Sequence, residues 1–292
     1  MNHDIESLPL ERAVTADGTE FHYVTAGQGY PVVFIHGGFG DWTSWAPQWQ
    51  HFTNTYRCFS YSRRFSWPNR NHWREHAVAQ DAQDLLALLD IWKLPKAILV
   101  GTSYGAYTAL MLALQAPERI QAMALTEPPL LGLADQAPGG TRARRDFEAV
   151  LAIGAEAYVN GDEREAVRIL TTGINGGQIQ KDTSPEGLEK RIKNAPAMRA
   201  ICEASEPFPM PGDEALRGLR MPILLTSGHD SPDIHQCVFY SLTRLISSAQ
   251  IVRIANAGHG VHRDQPDEFN QSLSDFLKNF ESDHQESKFK SA

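Results

Sequence analysis

Ala97-Ile98-Leu99-Val100-Gly101-Thr102-Ser103-Tyr104-Gly105 is the stretch from which the rest of the chain can be read. Its first four residues are apolar and partly β-branched, with the length of a buried strand. Ala106 to Ala116 follows as an Ala/Leu-rich stretch of helical composition, stopped by Pro117. Between strand and helix, Gly101 to Gly105 fits G-x-S-x-G, a pattern that exposes a serine when it forms a sharp strand-to-helix turn. The glycines have a steric reason, because so tight a turn brings the flanking residues up against the serine. The helix aims its N-terminus at Ser103, so the Tyr104 N–H and the helix dipole favour any negative charge formed there. That supplies half of an oxyanion-binding site.

The neighbouring segments extend this pattern in both directions. Leu10 to Thr15 and Glu20 to Thr25 flank Asp17-Gly18 as a hairpin, and Val32 to Ile35 is an apolar strand running into His36-Gly37-Gly38. Arg57 to Tyr61 is a further strand, and Glu75 to Trp92 a helix with Leu85, Leu88, Leu89 and Trp92 on one face. Beyond the Ser103 helix, Met123 to Thr126 is a strand. From Leu131 to Gly212 the strand pattern gives way to helical stretches such as Arg142 to Tyr158 and Asp162 to Thr171. Strands resume at Ile223 to Thr226 and Gln250 to Ile254, with helices near Cys237 to Ile246 and over Pro266 to Phe280. Alternating strands and helices of these lengths predict an α/β fold, a doubly wound, mostly parallel eight-stranded sheet. The expected divisions are a core over 1–130 and 213–281, a helical cap over 131–212 inserted after strand six, and a flexible tail over 282–292.

Composition narrows the class of partner. No apolar run approaches the roughly 20 residues of a membrane span, so no membrane association is expected. Met1 to Leu10 has neither a basic nor an apolar signal region, which makes a cytoplasmic location the expectation. A net charge of −8 disfavours nucleic acid and anionic lipid as partners. Cys58, Cys202 and Cys237 are widely spaced and odd in number, which predicts free thiols, with Cys58 in a strand core. What remains is a small-molecule substrate handled by a monomer or homodimer.

A serine hydroxyl needs a base and a group that orients the base. His259, in Asn256-Ala257-Gly258-His259-Gly260 directly after the last strand, is the leading candidate, with His262 as its near competitor. His36 more often fixes its own glycine-rich loop by hydrogen bonds than acts as a base. The second oxyanion donor is expected from the His36-Gly37-Gly38-Phe39-Gly40 loop, as the N–H of Gly38 or, second, Phe39, paired with that of Tyr104.

With these motifs in order, the chain resembles the α/β-hydrolase superfamily over nearly its whole length. The resemblance rests on HGG after strand three, GTSYG after strand five, a cap-sized insertion after strand six and AGHGVHRDQPDEF after strand eight. It implies a triad in the order serine, acid, histidine. Family members usually carry Gly-x-x-Asp after strand seven, whereas this chain reads Gly228-His229-Asp230-Ser231-Pro232, with Ser231 at the usual acid position. Two acids therefore stay open: Asp230, one residue early, and Glu127 in Leu125-Thr126-Glu127-Pro128-Pro129 after strand six, a placement some relatives use. Asp233 is a distant third.

The implied chemistry is cleavage of a carboxylic ester or lactone through an acyl-enzyme, with no metal or organic cofactor. Phe39 and Trp42, with Trp45, Trp49, Phe65 and Trp67 nearby in sequence, suggest an apolar pocket for a small to medium substrate, although each tryptophan serves equally well as packing beneath the cap. Where relatives have Asp-x-x-Gly-x-Gly, this chain has Arg63-Arg64; either arginine, with Arg64 as the site candidate, could meet a substrate carboxylate or enolate, although a solvated or structural pair is the commoner role for such residues. A C–C bond hydrolase using the same triad, and a non-catalytic ligand-binding protein, are the rival functions.

Overall fold

The computed structural model describes residues 4–73, 76–177 and 184–280, so the expected tail over 282–292 lies outside the described residues. Eight strands form one sheet: β1 (Glu11–Val14), β2 (Glu20–Ala26), β3 (Pro31–Ile35), β4 (Arg57–Tyr61), β5 (Ala97–Thr102), β6 (Ile120–Thr126), β7 (Ile223–Gly228) and β8 (Gln250–Ile254). Their order is β1-β2-β4-β3-β5-β6-β7-β8, antiparallel as far as the β2–β4 pair and parallel from β4 to β8.

Parallel strands buried on both faces read as continuous apolar runs, and alternate residues serve opposite faces. On β5, Leu99 joins a core with Leu85, Leu88 and Leu89 of α2 (Val78–Ile91), Ala109 and Leu110 of α3 (Tyr104–Gln115), and Val238 and Leu242 of α9 (Asp233–Leu245). Ile98 and Val100 face the other core, built on Trp49 and Phe52 of α1 (Ala46–Thr53) and Phe269, Leu273 and Phe276 of α11 (Pro266–Leu277).

Between β6 and β7 the chain forms α4 (Gly140–Val159), α5 (Glu163–Ile174), α6 (Pro185–Lys193), α7 (Ala195–Cys202) and the short α8 (Asp213–Arg217). Phe147, Val167, Leu170, Met198 and Ile201 join these helices to the α2/α3/α9 core. A polar tie adds to that packing: Asn194 Nδ2 donates to Asp41 Oδ2 at 2.9 Å, while Asn194 Oδ1 accepts from the Trp67 N–H at 2.8 Å. Several boundaries differ from the sequence reading. Here α9 starts at Asp233 rather than near Cys237, with Pro232 as its N-cap, and α6 and α7 carry Pro185 and Pro196 in their first turns. Proline fits there because the first N–H groups of a helix have no intrahelical acceptor. No helix of the described residues is long and apolar enough to cross a membrane.

In this topology the loops after β3, β5, β6, β7 and β8 emerge at the same edge of the parallel sheet, where open α/β sheets bind ligands.

Candidate active site

Ser103 sits between β5 and α3 with φ 51° and ψ −122°, a conformation that a non-glycine residue holds only under local constraint. The constraint is visible on both sides of the turn. A Cβ at Gly101 would lie 2.6 Å from the Ala106 nitrogen, and one at Gly105 only 2.2 Å from the Ile35 carbonyl oxygen and 2.5 Å from that of His36. The Ser103 N–H donates to Thr126 O at 2.7 Å, tying the turn to the end of β6. Tyr104, as the first residue of α3, has an N–H without an intrahelical acceptor.

Across the cavity, the loop after β3 is held by a buried set of polar groups. His36 Nδ1–H donates to Gly37 O at 2.8 Å, and its Nε2 accepts the Arg63 N–H at 3.0 Å, an arrangement that defines a neutral tautomer. Burial first, and then the Arg63 charge, lower its pKa to about 3. Arg63, itself buried, donates from Nη2 to Gly37 O and Gly38 O at 3.3 and 3.4 Å and from Nη1 to Asp81 at 3.1 Å; its guanidinium lies 4.6 Å over the Tyr104 ring. His76 Nε2 completes the set at 2.8 Å from Asp81. The loop that carries Gly38 is thus braced from behind by an ion pair.

Glu127 follows β6 directly and also has a positive φ, of 45°. Its Oε2 accepts from His259 Nδ1–H at 2.6 Å. The other oxygen, Oε1, accepts from the Ser227 and Ser231 hydroxyls at 2.7 and 2.5 Å and from the Gly228 N–H at 3.1 Å. Burial alone would raise the pKa of this carboxyl, yet the His259 hydrogen bond and charge and the Ser231 hydroxyl outweigh it and hold the value at about 2. A buried carboxylate that accepts from four donors across its two oxygens is fixed in place and fixes the imidazole it meets.

Ser103, Tyr104, Gly38, Phe39 and His259 line one cavity of about 320 Å³, whose apolar wall includes Phe147, Leu151, Met198, Ile201 and Phe208 from the segment between β6 and β7. This arrangement puts a serine hydroxyl, an imidazole oriented by a carboxylate and the backbone of Gly38 and Tyr104 around one cavity, the groups that acyl transfer calls for.

Three expected site residues fall elsewhere. The Asp230 carboxylate is exposed, and its backbone N–H donates to Ala257 O, so the turn directs the side chain to solvent while Ser231 faces Glu127. Arg64 is spent on a buried pair with Asp84, at 2.8 Å from Nε and 2.6 Å from Nη2, and on Thr19; it does not line the cavity. Trp42 packs into the α1/α11 core with Trp45 and Trp49, because the turn capped by Asp41 rolls it inward. His262 does line the cavity, but its ring lies 4.5 Å from Trp45, and burial sets its pKa well below 6.5.

The sequence reading missed His235, whose buried ring stacks on that of His259 with centroids 3.8 Å apart and planes 12° from parallel. Nothing in the sequence distinguishes a histidine near the start of a helix after β7. Glu127, His235 and His259 bring donor atoms within 4.8 Å of one another, but Nδ1 of His259 and Oε2 of Glu127 are engaged with each other, and Nε2 of His235 with Ile174 O.

A strained serine turn, a glycine loop facing it and an acid-bound histidine, all at one edge of a mostly parallel sheet, define a protein of the α/β-hydrolase class. The model of the alpha/beta hydrolase family matches residues 32–272, and the chain belongs to that family and is a hydrolase. Among its relatives, a protein of Caulobacter sp. (strain K31) that bears the name carbamate hydrolase is 26% identical over 278 residues, spanning 90% of this chain and 97% of the relative. The 2-hydroxymuconate semialdehyde hydrolase of Pseudomonas sp. (strain CF600) is 25% identical over 297 residues, spanning 95% and 97%. A thermophilic esterase from Thermogutta terrifontis superposes with a TM-score of 0.73 at 21% identity, covering 94% of this chain and 99% of the esterase, a likeness of fold.

Proposed function

We propose that the protein cleaves a carboxylic ester or lactone of a small to medium, largely apolar molecule, with Ser103 as nucleophile, His259 as base and Glu127 as the orienting acid. The observation that carries this reading is the 2.6 Å contact that Glu127 makes with His259, which lines the same cavity as Ser103. His259 takes the Ser103 proton as the hydroxyl attacks the acyl carbon, and the N–H groups of Gly38 and Tyr104 receive the oxyanion. The imidazolium then gives its proton to the leaving alkoxide, leaving an acyl-serine. Water, deprotonated by the same imidazole, attacks that acyl group; the bond to the Ser103 oxygen breaks, the imidazolium returns its proton to that oxygen, and the acid is released. Phe39, Phe147, Leu151 and Phe208 offer the apolar wall for the substrate.

A second reading, hydrolysis of a C–C bond next to a carbonyl, is favoured by the relative named as a 2-hydroxymuconate semialdehyde hydrolase. It uses the same residues, so substrate panels and not site geometry separate the two.

The test is labelling with a fluorophosphonate probe, mapped by mass spectrometry, alongside product analysis on ester, lactone and β-diketone panels. The expected result is a single adduct on Ser103 and turnover of esters or lactones, both lost in Ser103→Ala. Turnover of diketones alone moves the assignment to C–C cleavage. No adduct, together with thermal stabilisation by a pocket ligand, identifies a binding protein and overturns the proposal.

A further inference from the structure

We infer that His235 is a positioning residue that holds the plane of the His259 imidazole, an inference that rests on the triad reading above. His259 is held at Nδ1 by Glu127, and a single hydrogen bond in the ring plane leaves the ring able to tilt about that contact. A flat aromatic surface 3.8 Å away and 12° from parallel blocks that tilt.

His235 is itself held from two sides. Its Nε2–H donates to the carbonyl of Ile174, the last residue of α5, at 3.1 Å. The carbonyls at a helix C-terminus lack intrahelical donors, so this one has an acceptor position to give. Phe147 of α4 meets the ring edge-on, with centroids 5.8 Å apart and planes at 72°. Both contacts come from the segment between β6 and β7, while the Cα of His235 belongs to α9 of the core. The ring against which His259 rests is therefore clamped between the two parts of the molecule.

Its protonation state suits the task. Burial, and then the charge of His259, lower the His235 pKa to about 3, so the ring is neutral when His259 becomes an imidazolium during turnover. A cation over a neutral aromatic face is attracted to it, whereas two stacked cations would repel. With Nε2 committed to Ile174, His235 acts through His259 and carries no proton of the reaction.

Three variants separate the ring from its hydrogen bond: His235→Phe keeps a flat ring without the donor, His235→Gln keeps a donor without the ring, and His235→Ala keeps neither. On p-nitrophenyl acetate, His235→Ala and His235→Gln are expected to lose about 10- to 100-fold in kcat with KM within about twofold, the cost of a misoriented base. His235→Phe should recover kcat to within about threefold of the wild type. In parallel, the low-field proton NMR signal of the Glu127–His259 hydrogen bond should stay sharp in His235→Phe and broaden in His235→Ala. Wild-type kcat in His235→Ala, or a His235→Phe enzyme as slow as His235→Ala, overturns the inference, as does a sharp low-field signal in all variants. The NMR comparison needs no turnover, so it decides the role of His235 even if the ester panel refutes the proposed activity.

Discussion

The residue on which the site turns is Glu127. Replacing its carboxylate by an amide keeps the shape but removes the charge that selects the His259 tautomer, so Glu127→Gln is expected to lower kcat by about 10⁴. Asp230→Asn, altering an exposed carboxylate, should leave kcat within about twofold, a surface-sized effect. Steady-state rates on one ester measure both, and a large loss in Asp230→Asn would reverse the assignment of the acid. Ser103 and His259 were legible because each sits in a short motif just after an apolar strand. The acid was left open between two carboxylates for a physical reason: Ser231 stands where an aspartate is usual, and only the sheet register shows that it turns its hydroxyl to Glu127. For Arg64 and Trp42 the sequence offers a substrate contact and a structural role side by side, and burial against Asp84 and in the α1/α11 core, which decides for the structural role, can be seen only in three dimensions.

Among the elements, the turn between β5 and α3 tolerates least. Gly105→Ala would drive a methyl against the carbonyl oxygens of Ile35 and His36, backbone atoms that cannot swing aside. The expected cost is about 1–3 kcal/mol of stability, typical of overpacking, together with loss of ester hydrolysis, because the displaced segment leads into the Gly38 loop. Denaturant midpoints and rates on the same preparations measure this, and an unchanged midpoint would contradict the packing argument. The central strands β3, β5, β6 and β7 could be read in advance because each is a compact apolar run buried on both faces, and the exposed edge strand β1 because the Asp17-Gly18 turn pairs it with β2. The shorter helices could not. In α6 and α7 a few residues follow a proline, and prolines that read as breaks in fact occupy the first turn of each helix. Asp162 and Ser184 are N-caps with side-chain bonds to Glu165 and Gly187, signals that a closer local reading could use.

For the molecule as a whole, acid is the expected weakness. His36 and His235 are held neutral with pKa values near 3, and His262 is lowered in the same direction, against an ordinary value of 6.5. The unfolded chain binds protons that these buried rings refuse, so their contribution is complete above about pH 6.5 and lost as pH falls toward 3. His36 and His235 each cost about 1.4 kcal/mol per pH unit across that window, and His262 acts in the same direction. Glu127, lowered from 4.5 to about 2, acts with the same sign but only below about pH 4.5. Tm should therefore fall between pH 6.5 and 4.5, with uptake of at least about two protons on unfolding near pH 5 as measured from the pH dependence of ΔG. A Tm that is flat over this range would show that the rings are not buried neutral. The same assembly has an order in time. Thr102 and Thr126 are paired in register on β5 and β6, so the serine and the acid that follow them meet within one strand-helix-strand unit, whereas His259 lies 132 residues beyond Glu127. As the polypeptide leaves the ribosome, nucleophile and acid can be in place long before the base is made. On the proposed mechanism, Ser103 would therefore lack its base until the chain beyond the final strand has been made and docked.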